Sequence, residues 1–476
     1  MVNIDRGSKI LLYALRGYSL SRLGYNTEAK IQLKNVVQID PLQDIDFINK
    51  GIALSDLGQY EEAINCYDKI LESKQQRNEF LLIGALLNKG YALDSLQKFD
   101  KSKKCFEQVL LIDNKNVLAY NNKGLAFYKM KKYKEAIDCY DEVLKQAPEY
   151  VPSLFNKGLA FSSNNRHNEA LNSFNHVLEL DPSYTEAYLA KGICLYELKS
   201  YPQSIVEFDR VLKTNPQNIE AIRYKTYSLY QLKKNEDVLN LCNELLTINQ
   251  NDIYILDLKG RTLSNLGRYD EEINCYDKIL EIDPKNITAL IRKSYVYETY
   301  LGKPEQNIEC CDKILEIDPK NIEALNNKGL AYIHLRRFKE AITNLDIALN
   351  INPNYILALN SKGIVFMESR DYTEALKWFD KALQLNQDLM SAIQAKAQIY
   401  DKLGNYEEAL IYYNKILEKD TTDLRVLNYK GIVLGKLGKY DDAIDCFNTI
   451  LEFDPNSIGA QKNKEYANYL KSRKYH

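Results

Sequence analysis

The chain predicts an all-α solenoid of paired helices, and three observations carry the prediction. A unit of about 34 residues recurs roughly thirteen times between Ile10 and Ser457. Within each unit, apolar residues return at spacings of three and four. Glycine, alanine and a large ring recur at matched phases. A fixed period of this length marks a solenoid, in which neighbouring units cover one another and a single core runs along the stack. Apolar spacing of three and four marks helices. The repeat therefore overrides the three domains that a length of 476 residues would otherwise suggest.

With Ile10 as position 1, the units begin at Ile10, Asp44, Ile83, Val117, Val151, Thr185, Ile219, Ile253, Ile287, Ile322, Ile356, Met390 and Leu424. Each carries two helices. Leu57-Gly58-Gln59-Tyr60 typifies the turn between them, and Asp283-Pro284 typifies the end of the second, since the residue before proline avoids the helical region. Asparagine or serine shortly after the proline suits the cap of the next helix. Glycine stands at position 8 in ten units, from Gly17 and Gly51 to Gly363 and Gly431. Inside a helix it costs about 0.5–1 kcal/mol, so a steric cause is expected: two helices touch there. Alanine at position 20 (Ala29, Ala63, Ala136, Ala170) is expected to face it. The large residue at position 24 (Tyr67, Phe106, Tyr140, Phe174) is expected to fill the seam to the next unit.

Small at 8, aromatic or apolar at 11, small at 20, aromatic at 24 and proline at 32 resembles the tetratricopeptide repeat, over about 448 residues. The resemblance implies antiparallel helix pairs stacked in a right-handed superhelix, with the first helices lining a concave face that binds proteins or peptides. Two departures stand out. The aromatic often found at position 4 is mostly Leu, Ile, Phe or Tyr, and position 7, usually leucine, is basic in every copy, from Arg16 and Lys50 to Lys396 and Lys430. The array is expected to span 10–457, after a lead of residues 1–9 and before a capping helix and tail at 458–476 whose outer side is polar.

The unit-to-unit irregularities cluster at 219–321. There position 8 becomes Thr226 and Ser294, position 20 becomes Val238, Glu272 and Asn307, and the ninth unit gains a residue near Tyr300. A glutamate at a contact built for alanine is costly unless paired or tilted to water. This region is read either as drift or as a change of pitch. A further five residues are inserted in the second unit near Ser73 to Phe80, expected as an edge loop. The position-7 lysines are expected to reach acids at position 25 such as Asp68, Asp141 and Asp277, with a ladder for an acidic ligand as the other reading.

Composition narrows the function. Sixty-three basic against 65 acidic residues, spread evenly, disfavour broad nucleic-acid binding, although a local basic stripe is compatible with that total. Nine cysteines without C-x-x-C form no framework, and six occupy one repeat position, so they read as small core residues in a reducing compartment, the cytoplasm. Four scattered histidines give no metal site, and no cofactor or enzyme motif is legible. No apolar run is long enough to insert into a membrane.

Positions 2, 5, 9 and 12 share one stripe of each first helix. In the fourth unit it reads Leu118, Asn121, Leu125, Tyr128; in the sixth it ends on Tyr196; the seventh gives Glu220, Arg223, Tyr227, Tyr230; the eighth gives Tyr254, Asp257, Arg261, Ser264. An apolar floor with tyrosine edges and mixed charges suits a peptide, and tyrosine and arginine are common interface anchors. Position 6 carries Asn49, Asn88, Asn122 and Asn156 in consecutive units. A row of amides can grip a peptide backbone, because each donates and accepts. The resemblance also implies a carboxylate clamp in some relatives, but the lysine and asparagine positions it needs are absent here. The expected function is thus a non-catalytic scaffold or adaptor holding a protein or peptide, without cofactor or small-molecule substrate. The alternatives are a structural subunit of a large assembly that uses its convex face and, from another class, a nucleic-acid-binding module.

Overall fold

In the computed structural model the described residues, 6–72 and 78–474, are helices joined by short turns, with no strand among them. Twenty-seven helices follow one another: two for each of thirteen repeats, then Ile458–Lys474. They form two compact bodies, Met1–Leu241 and Cys242–His476, whose border falls inside the seventh repeat's second helix, Asn235–Ile248. Within each body, helices pack on their sequence neighbours, and first helices also touch the first helix of the next repeat. The fold is the expected solenoid of antiparallel pairs.

Local chemistry sets the element ends. After each first helix one residue adopts positive φ, at position 15 in twelve repeats and one residue later, at Gly302, in the ninth, which carries the insertion. In the second repeat, Gly58 N–H donates to the Ser55 carbonyl and Gln59 N–H to the Leu54 carbonyl, the paired bonds that close a helix on a left-handed residue. Glycine takes that position in six repeats, but Gln97, Lys131, Asn165, Lys199, Lys233, Arg336 and Arg370 take it in the others. The left-handed conformation costs a non-glycine residue about 1 kcal/mol, so the turn is imposed by the packing of the two helices. At the other end Asn116, Asn218, Asn286 and Asn321 accept, through the side-chain oxygen, from the backbone N–H three residues on. They are the expected caps. The insertion in the second repeat lies at 73–77 outside the described residues; Asn78 caps the helix that follows, Glu79–Ser95. The first helix, Arg6–Arg22, begins ahead of Ile10.

The position-8 glycines have a different partner from the one expected. A Cβ on Gly158 would lie 2.5 Å from the Phe174 ring, and one on Gly51 would lie 2.5 Å from Tyr67. The same clash, with the residue sixteen positions on, recurs at Gly90, Gly124, Gly192 and Gly363. The position-24 ring therefore lies across the glycine of its own repeat and also fills the seam to the next one, as where Phe208 stacks on Tyr224 and Tyr413 on Tyr429. The position-20 alanines are fully buried beside this contact but do not themselves demand the glycine. Helix geometry explains the outcome: residues 20 and 24 are one turn apart on the same face, and the ring spans the distance that alanine cannot.

Two of the three repeats without the glycine also lack the ring; the twelfth keeps it, with Ala397 at position 8 and Tyr413 at position 24. The seventh repeat pairs Thr226 with Cys242 by position, and the ninth pairs Ser294 with Cys311. Ser294 Oγ lies 3.6 Å from Cys311 Sγ. In the ninth repeat a larger position 8 is thus matched by a smaller position 24, which conserves volume at the crossing. The ninth repeat's first helix, Ile287–Val296, then runs into a π-helical turn, Tyr297–Leu301. A π turn holds an extra residue, so it takes up the insertion there without breaking the helix.

Candidate protein-interaction face

The stripe of positions 2 and 9 on the first helices exposes apolar side chains in seven of the thirteen repeats. At position 2 these are Leu11, Ile45, Leu118, Tyr254 and Leu357; at position 9 they are Tyr91 and Tyr295. Leu118 is 50 % exposed and Tyr254 81 %. Surface apolar residues are common one at a time; a periodic row on one helix face is a feature of the architecture. Elsewhere on the helix, the glycine–ring contact anchors most of the first helices, so the stripe is held on rigid elements.

Of the residues singled out from the sequence, Asn49, Asn88, Asn122, Asn156, Leu125, Tyr128, Tyr196, Arg223, Tyr227, Tyr230 and Arg261 are half-buried on first helices. Asn121 departs from them. It is 7 % exposed, and its Oδ1 accepts from Ser153 Oγ at 2.9 Å and from Asn156 Nδ2 at 3.4 Å, while its Nδ2 donates to Asn122 Oδ1 at 3.2 Å. Position 5 turns toward the next first helix, so its amide is spent inside the seam. The pattern repeats in the second body. Ser361 Oγ donates to Asn326 Oδ1 at 2.9 Å, and Asn463 Nδ2 donates to Asn428 Oδ1 at 2.9 Å. The sequence holds this signal, since an asparagine at position 5 recurs with a small polar residue in the following unit. Asn88 Nδ2 donates to the Gly84 carbonyl of its own helix at 2.8 Å.

The structure gathers part of the aromatic set. The Tyr196 ring lies 5.6 Å from Tyr224 and 6.4 Å from Tyr227, and Tyr224 meets Tyr227 edge-on. Tyr128 and Ser163 hydroxyls lie 3.1 Å apart across neighbouring repeats. Arg261 belongs to the other body and sits 3.8 Å from Asp257 one helical turn away. In that body Tyr269 and Tyr300 stack at 4.2 Å with Tyr295 edge-on to Tyr300, beside the π turn.

The position-7 lysines are paired, not arrayed for a ligand. Lys157 reaches Asp141 at 2.6 Å and Lys225 reaches Asp209 at 2.6 Å; Lys89, Lys293, Lys328, Lys362 and Lys396 make the same bridge to Asp68, Asp277, Asp312, Asp346 and Asp380. Each joins a first helix to the second helix of the preceding repeat. Where position 25 is Asn243, Lys259 donates to its Oδ1 at 2.7 Å. Where it is Lys34, Lys50 turns to the Ile39 carbonyl at 3.2 Å.

The irregular residues are buried and bonded. Glu272 accepts from the Tyr276 hydroxyl at 3.2 Å, and burial pushes its carboxyl above the usual range against hydrogen bonds from Ser264 and Tyr276. Asn307 accepts from Ser294 Oγ at 2.6 Å and donates to Glu298 at 2.6 Å. Burial likewise raises the Glu298 carboxyl, opposed by Asn307 and by His334, whose Nδ1 lies 3.4 Å away. All nine cysteines are buried thiols, and desolvation raises Cys139 and Cys310 to about 11. Among the described residues no group of three acidic, His or Cys side chains is placed to hold a metal, and no helix is long and apolar enough to cross a membrane.

Comparison with known proteins bears on these repeats directly. Family models described as tetratricopeptide repeat match residues 117–150, 162–226 and 310–343, and a further one matches 47–77, 83–116 and 253–286. A family described as anaphase-promoting complex, cyclosome, subunit 3 matches residues 368–450. No curated protein matches the chain. Among solved structures, the APC/C hetero-tetramer Cut9–Hcn1 is similar over 98 % of this chain and 90 % of that one, at 17 % identity and a TM-score of 0.43. Yeast Tom70 is similar over 84 % of this chain and 97 % of its own, at 15 % identity and 0.45. YrrB, described as a TPR protein with an unusual peptide-binding site, is similar over 40 % of this chain and 98 % of its own, at 24 % identity and 0.36. The family matches fall on the very units whose ring-on-glycine contacts, left-handed turns and helix caps are laid out above, and the chain belongs to the tetratricopeptide-repeat family.

Proposed function

We propose that this protein is a non-catalytic scaffold or adaptor that holds a peptide or protein segment along its first-helix face. The observation that carries the reading is the periodic row of exposed apolar side chains at positions 2 and 9, bordered by half-buried tyrosines and asparagines. Such a surface offers an apolar floor for alternate side chains and amides for the partner's backbone. Asn49, Asn88, Asn122 and Asn156 are the proposed backbone contacts, with Asn121 positioning two of them. Leu125, Tyr128, Tyr196, Arg223, Tyr227, Tyr230 and Arg261 are the proposed side-chain contacts. Neither cofactor nor small-molecule substrate enters this role, and the free buried thiols agree with a reducing compartment such as the cytoplasm.

Affinity purification with crosslinking tests the proposal. Crosslinks concentrated at positions 2, 6, 9 and 12 are expected. Changing Asn88, Asn122 and Asn156 together to alanine is expected to weaken partner binding about tenfold, at about 0.5 kcal/mol per lost hydrogen bond. Unchanged affinity retires the asparagine row. A second reading, a subunit of a large assembly, is favoured by a different row. Position 30 exposes Leu180, Ile282, Ile351, Leu385 and Phe453 at the ends of second helices. Crosslinks confined to those residues would select it.

A further inference from the structure

We infer that the second to fourth repeats carry a second interaction surface, on their second-helix side, that takes an acidic peptide segment. Between Lys98 and Lys134 ten lysines stand against three carboxylates, in a chain whose net charge is only −2. Part of this charge lines a cleft of about 410 Å³ between the second helices Tyr60–Glu72 and Phe99–Ile112. Lys89, Lys98, Lys101 and Lys104 surround it over an apolar floor that includes Ile64 and Leu93.

Only part of the charge there is spent internally. Lys89 is neutralised by Asp68, and both line the cleft. Lys98 approaches the other lining carboxylate, Glu61, only at 3.8 Å. Lys101 and Lys104 are exposed, and no described carboxylate lies within ion-pair distance of either. One repeat further along, Lys131, Lys132 and Lys134 are likewise exposed and without an acidic partner, and Lys132 holds the same repeat position as Lys98. This contrasts with the position-7 lysines, most of which find an acid. The first-helix face proposed above takes no part, so the two surfaces stand or fall separately.

The lining selects among anions. No aromatic ring faces the cleft, so bases have nothing to stack on. A flat bilayer meets a row of heads, not a recess. The recess pairs ammonium groups with aliphatic floor, and its own Glu61 and Asp68 disfavour a dense polyphosphate. A segment in which glutamate or aspartate alternates with aliphatic residues satisfies both features, its carboxylates on the lysines and its side chains on Ile64 and Leu93.

Fluorescence anisotropy on the full chain tests this with a labelled peptide alternating glutamate and leucine. Binding is expected, weakening as salt rises. The double variant Lys101→Glu/Lys104→Glu is expected to bind tenfold or more weakly, whereas Lys320→Glu, an exposed charge reversal in the other body, binds as the wild type does. Circular dichroism verifies the fold, and Lys101→Gln/Lys104→Gln replaces the reversal if that variant does not fold. No binding by the wild type overturns the inference, as does a folded variant of wild-type affinity. So does single-stranded RNA that binds more tightly than the peptide through the same lysines.

Discussion

At Gly158 a single missing methyl group decides whether two helices close. An alanine there would put its Cβ 2.5 Å from the Phe174 ring, so Gly158→Ala is expected to cost about 1–3 kcal/mol in chemical denaturation, the cost of an overpacked core. Gly435 is the counter-case. It lies in the helix Leu424–Lys436, and a methyl group added there would meet nothing within 4 Å. Gly435→Ala is expected to stabilise by about 0.5–1 kcal/mol. Glu272 makes a pH-dependent prediction. Its carboxyl is raised in the fold by burial, so the native state keeps the proton more tightly than the unfolded chain. Stability therefore falls as pH rises from the unfolded value through the raised native one. Glu272→Gln removes that dependence. It is expected to be the more stable form at neutral pH, by roughly 1 kcal/mol, with the gap closing below about pH 4. Urea titrations at both pH values measure the difference.

Between elements, the seam bridges form one series with graded burial. Lys396 has a side chain only 5 % exposed beside Asp380, and its ammonium also lies 4.6 Å from the Tyr412 ring. Burial works to lower its pKa, but hydrogen bonds to Asp380 and Tyr412 outweigh it and hold the group above its usual value. Asp380→Ala would strand that charge and is expected to cost about 2 kcal/mol. Asp141→Ala leaves Lys157, which is 23 % exposed and can turn to water, so less than about 1 kcal/mol is expected. Denaturant midpoints of the two variants compare them directly. The pairing was legible from positions 7 and 25 because both recur at fixed phase. The partner of glycine was not, since phase alone cannot say that a ring which reaches the next repeat also lies over the glycine of its own.

Across the whole molecule, stability is a chain of nearest-neighbour terms. In such a stack unfolding need not be all-or-none. Trp378 is the only tryptophan, and its ring is flanked by the Lys362 and Lys381 ammonium groups at 3.9 and 4.0 Å. Its fluorescence therefore reports on the eleventh repeat alone. The transition it follows is expected to separate from the far-ultraviolet dichroism transition, which averages every helix; coincident curves would show that the array melts as one unit. The exposed row that makes up the candidate face was half legible: the stripe of positions could be read, but Asn121 could not be told from Asn122.

The helices, their number and their caps were determined by the sequence, because each depends on residues within one repeat and the pattern is stated thirteen times over. Tertiary structure alone decided which side chains the stack consumes. Burial of the position-5 asparagines, the ring lying over its own glycine, and the hydrogen bonds that sustain Glu272 and Asn307 all arise from surfaces that meet only when neighbouring helices are in place. A period in the sequence fixes which residues share a face; how closely the next helix approaches that face is set by packing.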